Sequence, residues 1–380
     1  MHLVDTTVFF SPTSGGVRRY LTAKHDWLRA HTPHRHTLLV PGVVDELLPG
    51  GLSTIAGWQV PGTFNYRLPL APRRWMRMLD ALDPDLIEVG DAFHPLWSAA
   101  AVARRRRIPL VAFFHSNLPR LVARRYGELT GQAFGRYLRL AYQRCDLVLT
   151  PSREMCDYLS DLGITHTALQ PLGVDTGVFS PARRTLDLRR ELRLPENCRL
   201  LVYAGRFSGE KNIHVLQAAM QQLGARYQLL LIGAAAQSQL AANITVLPYR
   251  RDGVELATWI ASCDALVHAG SSETFGLIVL EAMACGRPVV ATRAGALPEH
   301  VDETVGMLAA PNNAADMAAA ISALYERDLE ALGAAARKRV LQRYTWSHAL
   351  QIELGHYARI SGRAVPASSE SEELELPSTR

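Results

Sequence analysis

Apolar residues along this chain fall into short continuous runs separated by longer stretches of helical spacing. His2 to Phe10, His36 to Pro41, Leu86 to Gly90, Leu110 to Phe114 and Leu147 to Thr150 read as strands buried on both faces. A second set follows in LLVYAG (200–205), YQLLLIG (227–233) and Ala265 to Val267. Strands alternating with amphipathic helices predict an α/β chain with parallel sheets. CDLVLTPS (145–152) and CDALVHAG (263–270) each run a strand into a polar loop, which fits two similar sheets rather than a sequence repeat. Between them, residues 169–181 are rich in Pro and Gly and read as a linker. The expected division is residues 1–172, residues 173–345, a last helix over 346–362, and a polar, acidic tail over 363–380 expected to be disordered.

A chain of 380 residues suggests two cores rather than one. The five cysteines are odd in number and lack paired ligand spacing, which argues against a disulfide framework or a zinc site and for a reducing cytoplasm. No apolar stretch reaches bilayer-spanning length, and the chain opens on a strand rather than an export signal, so a soluble or peripheral protein is expected. The net charge is +5, and Lys24, Lys211 and Lys338 are the lysines among 41 basic residues. Such a surplus suits an anionic small ligand or surface. Nucleic acid is not expected as a partner, because the basic residues lack a recognition motif or an interleaved aromatic platform.

The chemistry concentrates in HAGSSETFGLIVLEAMACG (268–286). A strand enters a loop of small polar residues, and a helix expected to open near Thr274 carries Glu281 to Gly286. The step from Glu273 to Glu281 would span two turns, roughly 12 Å. That is wider than the about 5–9.5 Å that separates the two carboxyl groups of a glycosidase. Between the acids, the N–H groups of Phe275, Gly276 and Leu277 would face an anion, and Gly276 would let it approach the backbone. Carboxylate, phosphate-binding amides and carboxylate suit a sugar, a diphosphate and a ribose in turn.

Glu273 and Glu281, with seven residues between them in SSETFGLIVLEAMACGRPVVAT, resemble the signature of the family 4 retaining glycosyltransferases of the GT-B fold. GRPVV and GALPEHV, with Gly295 and Glu299, continue the pattern, and the resemblance runs to about residue 360. It implies two Rossmann-like parallel-sheet domains facing a central cleft, the first binding the acceptor and the second the nucleotide sugar, with the last helix crossing back to the first. GRFSGEKN resembles the family's phosphate-binding segment, which would place Arg206 and Lys211 on the donor. The resemblance further implies Glu273 on the sugar hydroxyls, Glu281 on the ribose, and His115, just past the strand PLVAFF, beside the reacting sugar. Gly15, Gly16, Thr274, Phe275, Gly276 and Leu277 would complete the donor site, with Tyr249 near the nucleobase. Arg18, His94 and Asn117 are acceptor candidates.

The activity so implied is retaining hexosyl transfer, led by mannosyl from GDP-mannose, to a glycolipid, lipid-linked or saccharide acceptor, with no cofactor and no metal. UDP-glucose-dependent glucosyl transfer and a non-catalytic nucleotide-binding protein are the alternatives. Asp83-Pro84-Asp85 imitates a metal-binding Asp-x-Asp, but precedes its strand, whereas ligands gather at carboxyl ends. No G-x-G-x-x-G follows either first strand, which disfavours a flavin or nicotinamide enzyme. A pyridoxal-phosphate phosphorylase of this fold needs a Schiff-base lysine, and Lys24 and Lys338 are expected on peripheral helices. Residues 119–144 interleave arginines with Leu, Tyr and Phe, and read either as a surface for anionic membrane or as a packed helix pair with a basic face.

Overall fold

The computed structural model describes residues 1–11, 15–61, 66–233, 241–248 and 252–362. The chain forms two compact units: Met1–Leu149 with Ser160–Ala168 and the stretch from Leu350, and Thr150–Leu159 with Leu169–Ala349.

The first unit runs β1 (His2–Thr6), α1 (Gly16–His31), β2 (Arg35–Gly42), β3 (Leu52–Ala56), β4 (Trp58–Gln59), β5 (Arg67–Leu68), α2 (Pro72–Ala81), β6 (Leu86–Val89), α3 (His94–Arg106), β7 (Leu110–Phe113), α4 (Leu118–Tyr126), α5 (Glu128–Tyr142), β8 (Leu147–Thr150) and β9 (Thr167–Leu169), while α6 (Arg153–Asp161), which follows β8 in the chain, belongs mostly to the second unit. Among the described residues its main sheet has the order β3-β2-β1-β6-β7-β8-β9, and β4 and β5 form a separate antiparallel pair. β1 ends at Thr6 rather than at Phe10. The apolar run continues, but Val8 gives its N–H to the Asp91 carboxylate at 2.7 Å instead of to a neighbouring strand.

The second unit runs α7 (Leu188–Glu191), β10 (Arg199–Ala204), α8 (Ile213–Leu223), β11 (Tyr227–Ile232), β12 (Ile244–Leu247), α9 (Gly253–Ala261), β13 (Ala265–His268), α10 (Leu277–Ala284), β14 (Val289–Thr292), α11 (Leu297–His300), β15 (Gly306–Ala309), α12 (Ala314–Leu324) and α13 (Leu329–Arg343). Its parallel sheet has the order β12-β11-β10-β13-β14-β15. β10, β11 and β13 are central, and one face packs Leu201, Tyr203, Leu229, Leu231 and Val267 under Leu216, Met220 and Ile321 of the covering helices. Helices on both faces explain why these strands are apolar throughout rather than alternating.

α14 (Trp346–Ser361) joins the first unit through a buried charge cluster. The register of β1 on β6 sets Asp5 beside Glu88, two carboxylates on one sheet face. Lys24 of α1 answers both, with Nζ 2.7 Å from Asp5, 3.3 Å from Glu88 and 2.6 Å from Glu353 of α14. The Tyr20 hydroxyl lies 2.8 Å from Glu88 and 2.7 Å from Glu353, and the Tyr357 hydroxyl bonds the same two acids. Lys24 is 1% exposed, so its expected placement on a peripheral helix is corrected. Its spacing shows why: Lys24 falls four residues from both Tyr20 and Leu28, on the buried stripe of α1.

Three acids around one lysine leave excess negative charge. Burial, with Asp5 and Glu353 nearby, raises the Glu88 carboxyl to about 8, although Lys24 pulls it down; Asp5, held by Lys24 and His36 against the cost of burial, falls to about 2. A raised carboxyl binds its proton more tightly in the folded state. Its contribution is therefore complete below the unfolded value near 4.5 and is lost as pH rises to about 8. Glu88→Gln is expected to remove this loss: the thermal midpoint of the variant, relative to wild type, should climb between pH 5 and pH 8.

Candidate functional site

β10 and β13 are parallel neighbours, so the loops leaving their carboxyl ends emerge on the same sheet edge. Asn212, in the left-handed region at φ 50°, ends the first loop. Its carboxamide donates to the Ala269 carbonyl and to Ser271 Oγ, both at 3.1 Å. The Ser271 N–H reaches the Glu210 carbonyl at 3.3 Å. These bonds zip the two loops together and bring Lys211 onto Glu273.

Glu273 Oε1 takes an ion pair from Lys211 and lies 3.1 Å from His268 Nε2. The Gly270 N–H donates to His268 Nδ1 at 3.1 Å, so Nδ1 is the bare nitrogen and Nε2 carries the hydrogen that points at Glu273. Burial alone would raise the Glu273 carboxyl; Lys211 and the His268 hydrogen bond outweigh it and hold the group well below the ordinary carboxylate range. Both donors land on Oε1. Oε2 has no partner among the described residues, and the side chain is 14% exposed, so one oxygen is fixed and the other is open to a ligand.

α10 begins at Leu277, not near Thr274. Gly276, at φ 91°, ends the loop in a conformation that cannot continue a helix, so Glu273 lies outside α10 and the two-turn relation to Glu281 does not hold. Gly276 offers no capping side chain. Its own Cβ-free face lies against Leu297, whose Cδ2 is 2.9 Å from where a Cβ would stand. The Phe275 ring is buried against His300, centroids 4.7 Å apart, and the His300 ring nitrogen Nε2 bonds the Phe275 carbonyl at 2.7 Å. Phe275 thus offers a ligand only its backbone, while the ring anchors the loop. Glu281 is 3% exposed on α10.

The Glu273 backbone rests on the next loop. Ala296 N–H donates to the Glu273 carbonyl at 3.0 Å, and a Cβ on Gly295, at φ 56°, would stand 2.6 Å from that oxygen. Gly295→Ala is therefore expected to destabilise the protein by about 1–3 kcal/mol, read from the urea midpoint. Glu299, four residues on, accepts the Arg153 and Glu154 N–H groups at 3.0 Å and so caps the start of α6.

Arg206 is exposed, its carbonyl held by the Tyr203 hydroxyl at 3.0 Å. In the first unit, Gly15 caps α1 and Gly16 opens it, and both glycines and Arg18 are exposed. His115 follows β7, its ring stacked on Phe113 at 4.1 Å and tilted against Tyr20 at 5.1 Å. Burial, helped by Lys24, lowers the His115 imidazolium to about 3, so the ring is neutral near pH 7. Gly90, Asp91, His115 and Ser116 line a small cavity. His94 is the first residue of α3, its ring edge-on to Trp75 at 5.0 Å. Asn117 is 4% exposed, and its Oδ1 caps α4 by accepting the Arg120 N–H at 3.1 Å. Tyr249 lies outside the described residues. Asp83 and Asp85 are spent locally, on Arg106 and on the His2 N–H.

Sequence reasoning missed three residues here. His268 closes an otherwise apolar strand, a polar side chain in a fully buried position, which is the signal that could have found it. Asn212 and Asp91 act through partners 57 and 83 residues away, which no local pattern reveals.

The profile described as Glycosyltransferase Family 4 matches residues 14–178, and that described as Glycosyl transferases group 1 matches residues 198–327. The chain is 30% identical over 367 residues to a GDP-mannose-dependent alpha-(1-6)-phosphatidylinositol dimannoside mannosyltransferase of Mycobacterium tuberculosis, covering 92% of this chain and 94% of that one. It is 31% identical over 299 residues to a GDP-mannose-dependent alpha-mannosyltransferase of the same species, covering 76% and 77%. Among solved structures it is similar to the sucrose-phosphate synthase of Thermosynechococcus elongatus, with a TM-score of 0.78 at 22% identity over 95% of this chain and 99% of that one. Anabaena HepE in complex with UDP-glucose gives a TM-score of 0.74 at 21% identity over 94% and 100%. The fold is therefore GT-B, and the chain belongs to glycosyltransferase family 4.

Proposed function

We propose that this protein transfers a mannosyl group from GDP-mannose, with retention and without a metal, to a glycolipid, lipid-linked or saccharide acceptor. The observation that carries the reading is Glu273, whose Oε1 is pinned by Lys211 and His268 while Oε2 stays open, beside a helix that starts on a bare glycine. The donor class follows the mannosyltransferases to which the chain is similar.

In this reading the diphosphate lies against the first amides of α10, where unpaired N–H groups and the helix dipole favour negative charge. Lys211 has three donors and serves both Glu273 and a phosphate oxygen. With Arg206 it takes up the charge that builds on the departing diphosphate, the place a metal ion would otherwise fill. Glu273 Oε2 accepts from sugar hydroxyls, and Glu281 holds the ribose. The departing phosphate itself takes the acceptor's proton, so transfer needs no protein base. His115, neutral near pH 7, is the candidate in the first unit for a hydrogen bond to the sugar. A lipid-linked acceptor lies at a bilayer, and the reading includes peripheral association with an anionic membrane on its cytoplasmic side.

A panel of GDP, UDP and ADP sugars tests the donor by thermal shift, since a ligand that binds the folded state raises its midpoint. GDP-mannose should give the largest rise, and a larger rise with UDP-glucose would overturn the assignment. NMR of the product's anomeric configuration tests retention, and full activity after exhaustive chelation tests metal independence.

His268 acts through Glu273 as a positioning residue. His268→Ala is expected to lower kcat/KM by about 10–100-fold, the usual range for a lost orienting hydrogen bond. Removing one of the two donors that hold Glu273 ionised also raises its carboxyl, so the acid limb of the rate profile should move to higher pH. His268→Gln, which keeps an N–H donor, should restore most of both. A purely packing role predicts no movement of the acid limb.

A further inference from the structure

Eight of the sixteen large apolar side chains that stand exposed among the described residues lie between Val43 and Leu70. Val43, Val44, Leu47 and Leu48 are 71%, 60%, 40% and 53% exposed, Trp58 84% and Leu70 75%. They form one surface. Glu46 and Thr54 exchange backbone hydrogen bonds at 2.9 and 2.8 Å, which lays the loop after β2 along β3. The β4–β5 pair sets Trp58 opposite Leu68, and Leu70 follows directly into α2. Arg74 of α2 reaches back to Asp45 in the loop at 3.5 Å.

The loop's backbone groups are tied down while its apolar side chains are presented outward. Exposed apolar clusters of this kind mark interaction surfaces. The surrounding charge is chiefly cationic. Arg73 and Arg77 lie one turn apart on the exposed face of α2, opposite the buried Trp75 and Leu79, with no acid in ion-pair range among the described residues. Arg67 opens β5, with its guanidinium on the Gly57 carbonyl at 3.0 Å. Of the acids, Asp45 is met by Arg74, and Glu46 contributes its backbone to β3.

The chemistry of this rim selects among occupants. An added strand needs the free edge of β3, but the Thr54 N–H and carbonyl there are already taken by Glu46. A second copy packed face to face would gather the cationic rims of both copies around one contact, where like charges accumulate. An anionic bilayer meets both features: an indole and aliphatic side chains enter the headgroup boundary while guanidinium groups meet lipid phosphates. We propose that the surface formed by the 43–48 loop, the β4–β5 pair and the start of α2 is where this protein docks on an anionic membrane. The proposal rests on the membrane association included in the proposed function and says where on the fold it takes place, but it is independent of the roles given to Lys211 and Glu273. It also differs from residues 119–144, for which a membrane surface and a packed helix pair are the alternative expectations: there α4 and α5 pack so closely that a Cβ on Gly131 would stand 2.5 Å from the Ala123 Cβ, while Leu121, Tyr126, Leu129 and Leu140 stand exposed.

Sedimentation of the full chain with vesicles of equal parts phosphatidylglycerol and phosphatidylcholine tests it. Wild type should pellet with these vesicles and much less with phosphatidylcholine alone, and the bound fraction should fall as salt rises. Trp58→Ser combined with Leu70→Ser, both exposed and so neutral to folding, should weaken binding by about tenfold or more. Arg73→Glu combined with Arg77→Glu should abolish the preference for anionic vesicles. Leu129→Ser combined with Leu140→Ser, on α5, should bind as wild type does. Turnover on a soluble acceptor should be unchanged in all three. The proposal is overturned if the Trp58 and Leu70 pair binds like wild type, if the α5 pair alone loses binding, or if wild type is a dimer that the Trp58 and Leu70 pair converts to monomer.

Discussion

Lys211→Ala and Glu273→Ala are each expected to reduce sugar transfer by about 10²–10³-fold, the scale of losing one preorganised group that meets transition-state charge. The geometry makes the two losses different in kind. Without Lys211 the departing diphosphate loses a cation, and Glu273 loses the first of the two groups that keep it ionised. Without Glu273 the sugar loses an acceptor, while Lys211 is released and can still bind a phosphate. Lys211→Ala should therefore weaken binding of free GDP, and Glu273→Ala should leave GDP binding nearly intact while transfer fails. Nucleotide release under saturating acceptor measures the first quantity and calorimetry with GDP the second. Near-normal turnover in both variants would refute the assigned roles.

The second large effect falls on stability. Lys24→Met is expected to cost about 3–5 kcal/mol, because removing one partner of a buried charge cluster leaves the others uncompensated. Asp5, Glu88 and Glu353 would then face one another with His36 as the remaining cationic candidate. Carboxyls without their cation resist ionisation, so the variant should be least unstable at low pH and lose stability further as pH rises. Urea unfolding at pH 5.5 and pH 8 measures this. Adding Glu88→Gln to Lys24→Met should recover part of the loss, since one fewer carboxylate must be buried. A loss that is the same at both pH values would mean that packing, not charge, is what Lys24 contributes. Because His115 is tilted against Tyr20, collapse of the cluster should also disturb that ring.

Most strands were legible because parallel sheets bury both faces, and a continuous apolar run such as Tyr227–Ile232 leaves little choice. The places where pattern misled are those where a polar group diverts the backbone. The run Val8 to Phe10 looks like strand, but Asp91 captures the Val8 N–H and ends the pairing. The helix after Glu273 looks three residues longer than it is, because composition does not reveal that Gly276 adopts φ 91°. Lys24 and His268 were legible in principle, as each sits in a buried register of its own element. The partner of Lys24 was not, since Glu353 reaches it through tertiary structure alone, whereas Glu273 follows His268 within one loop.

Within the candidate site, the motif around Glu273 located the loop but not its arrangement. That Lys211 and His268 share one carboxylate oxygen depends on the parallel pairing of β10 with β13 and on Asn212 bridging the loops behind it. The same support explains why the opposite oxygen is left for a ligand.

The most direct test of the central claim is a crystal structure of the protein with GDP-mannose bound. The account predicts a phosphate oxygen within hydrogen-bond distance of the first amides of α10 and of Lys211 Nζ, with Glu273 Oε2 on a mannose hydroxyl and Oε1 still on His268. A diphosphate bound away from Gly276, with Glu273 turned from the sugar, would contradict it.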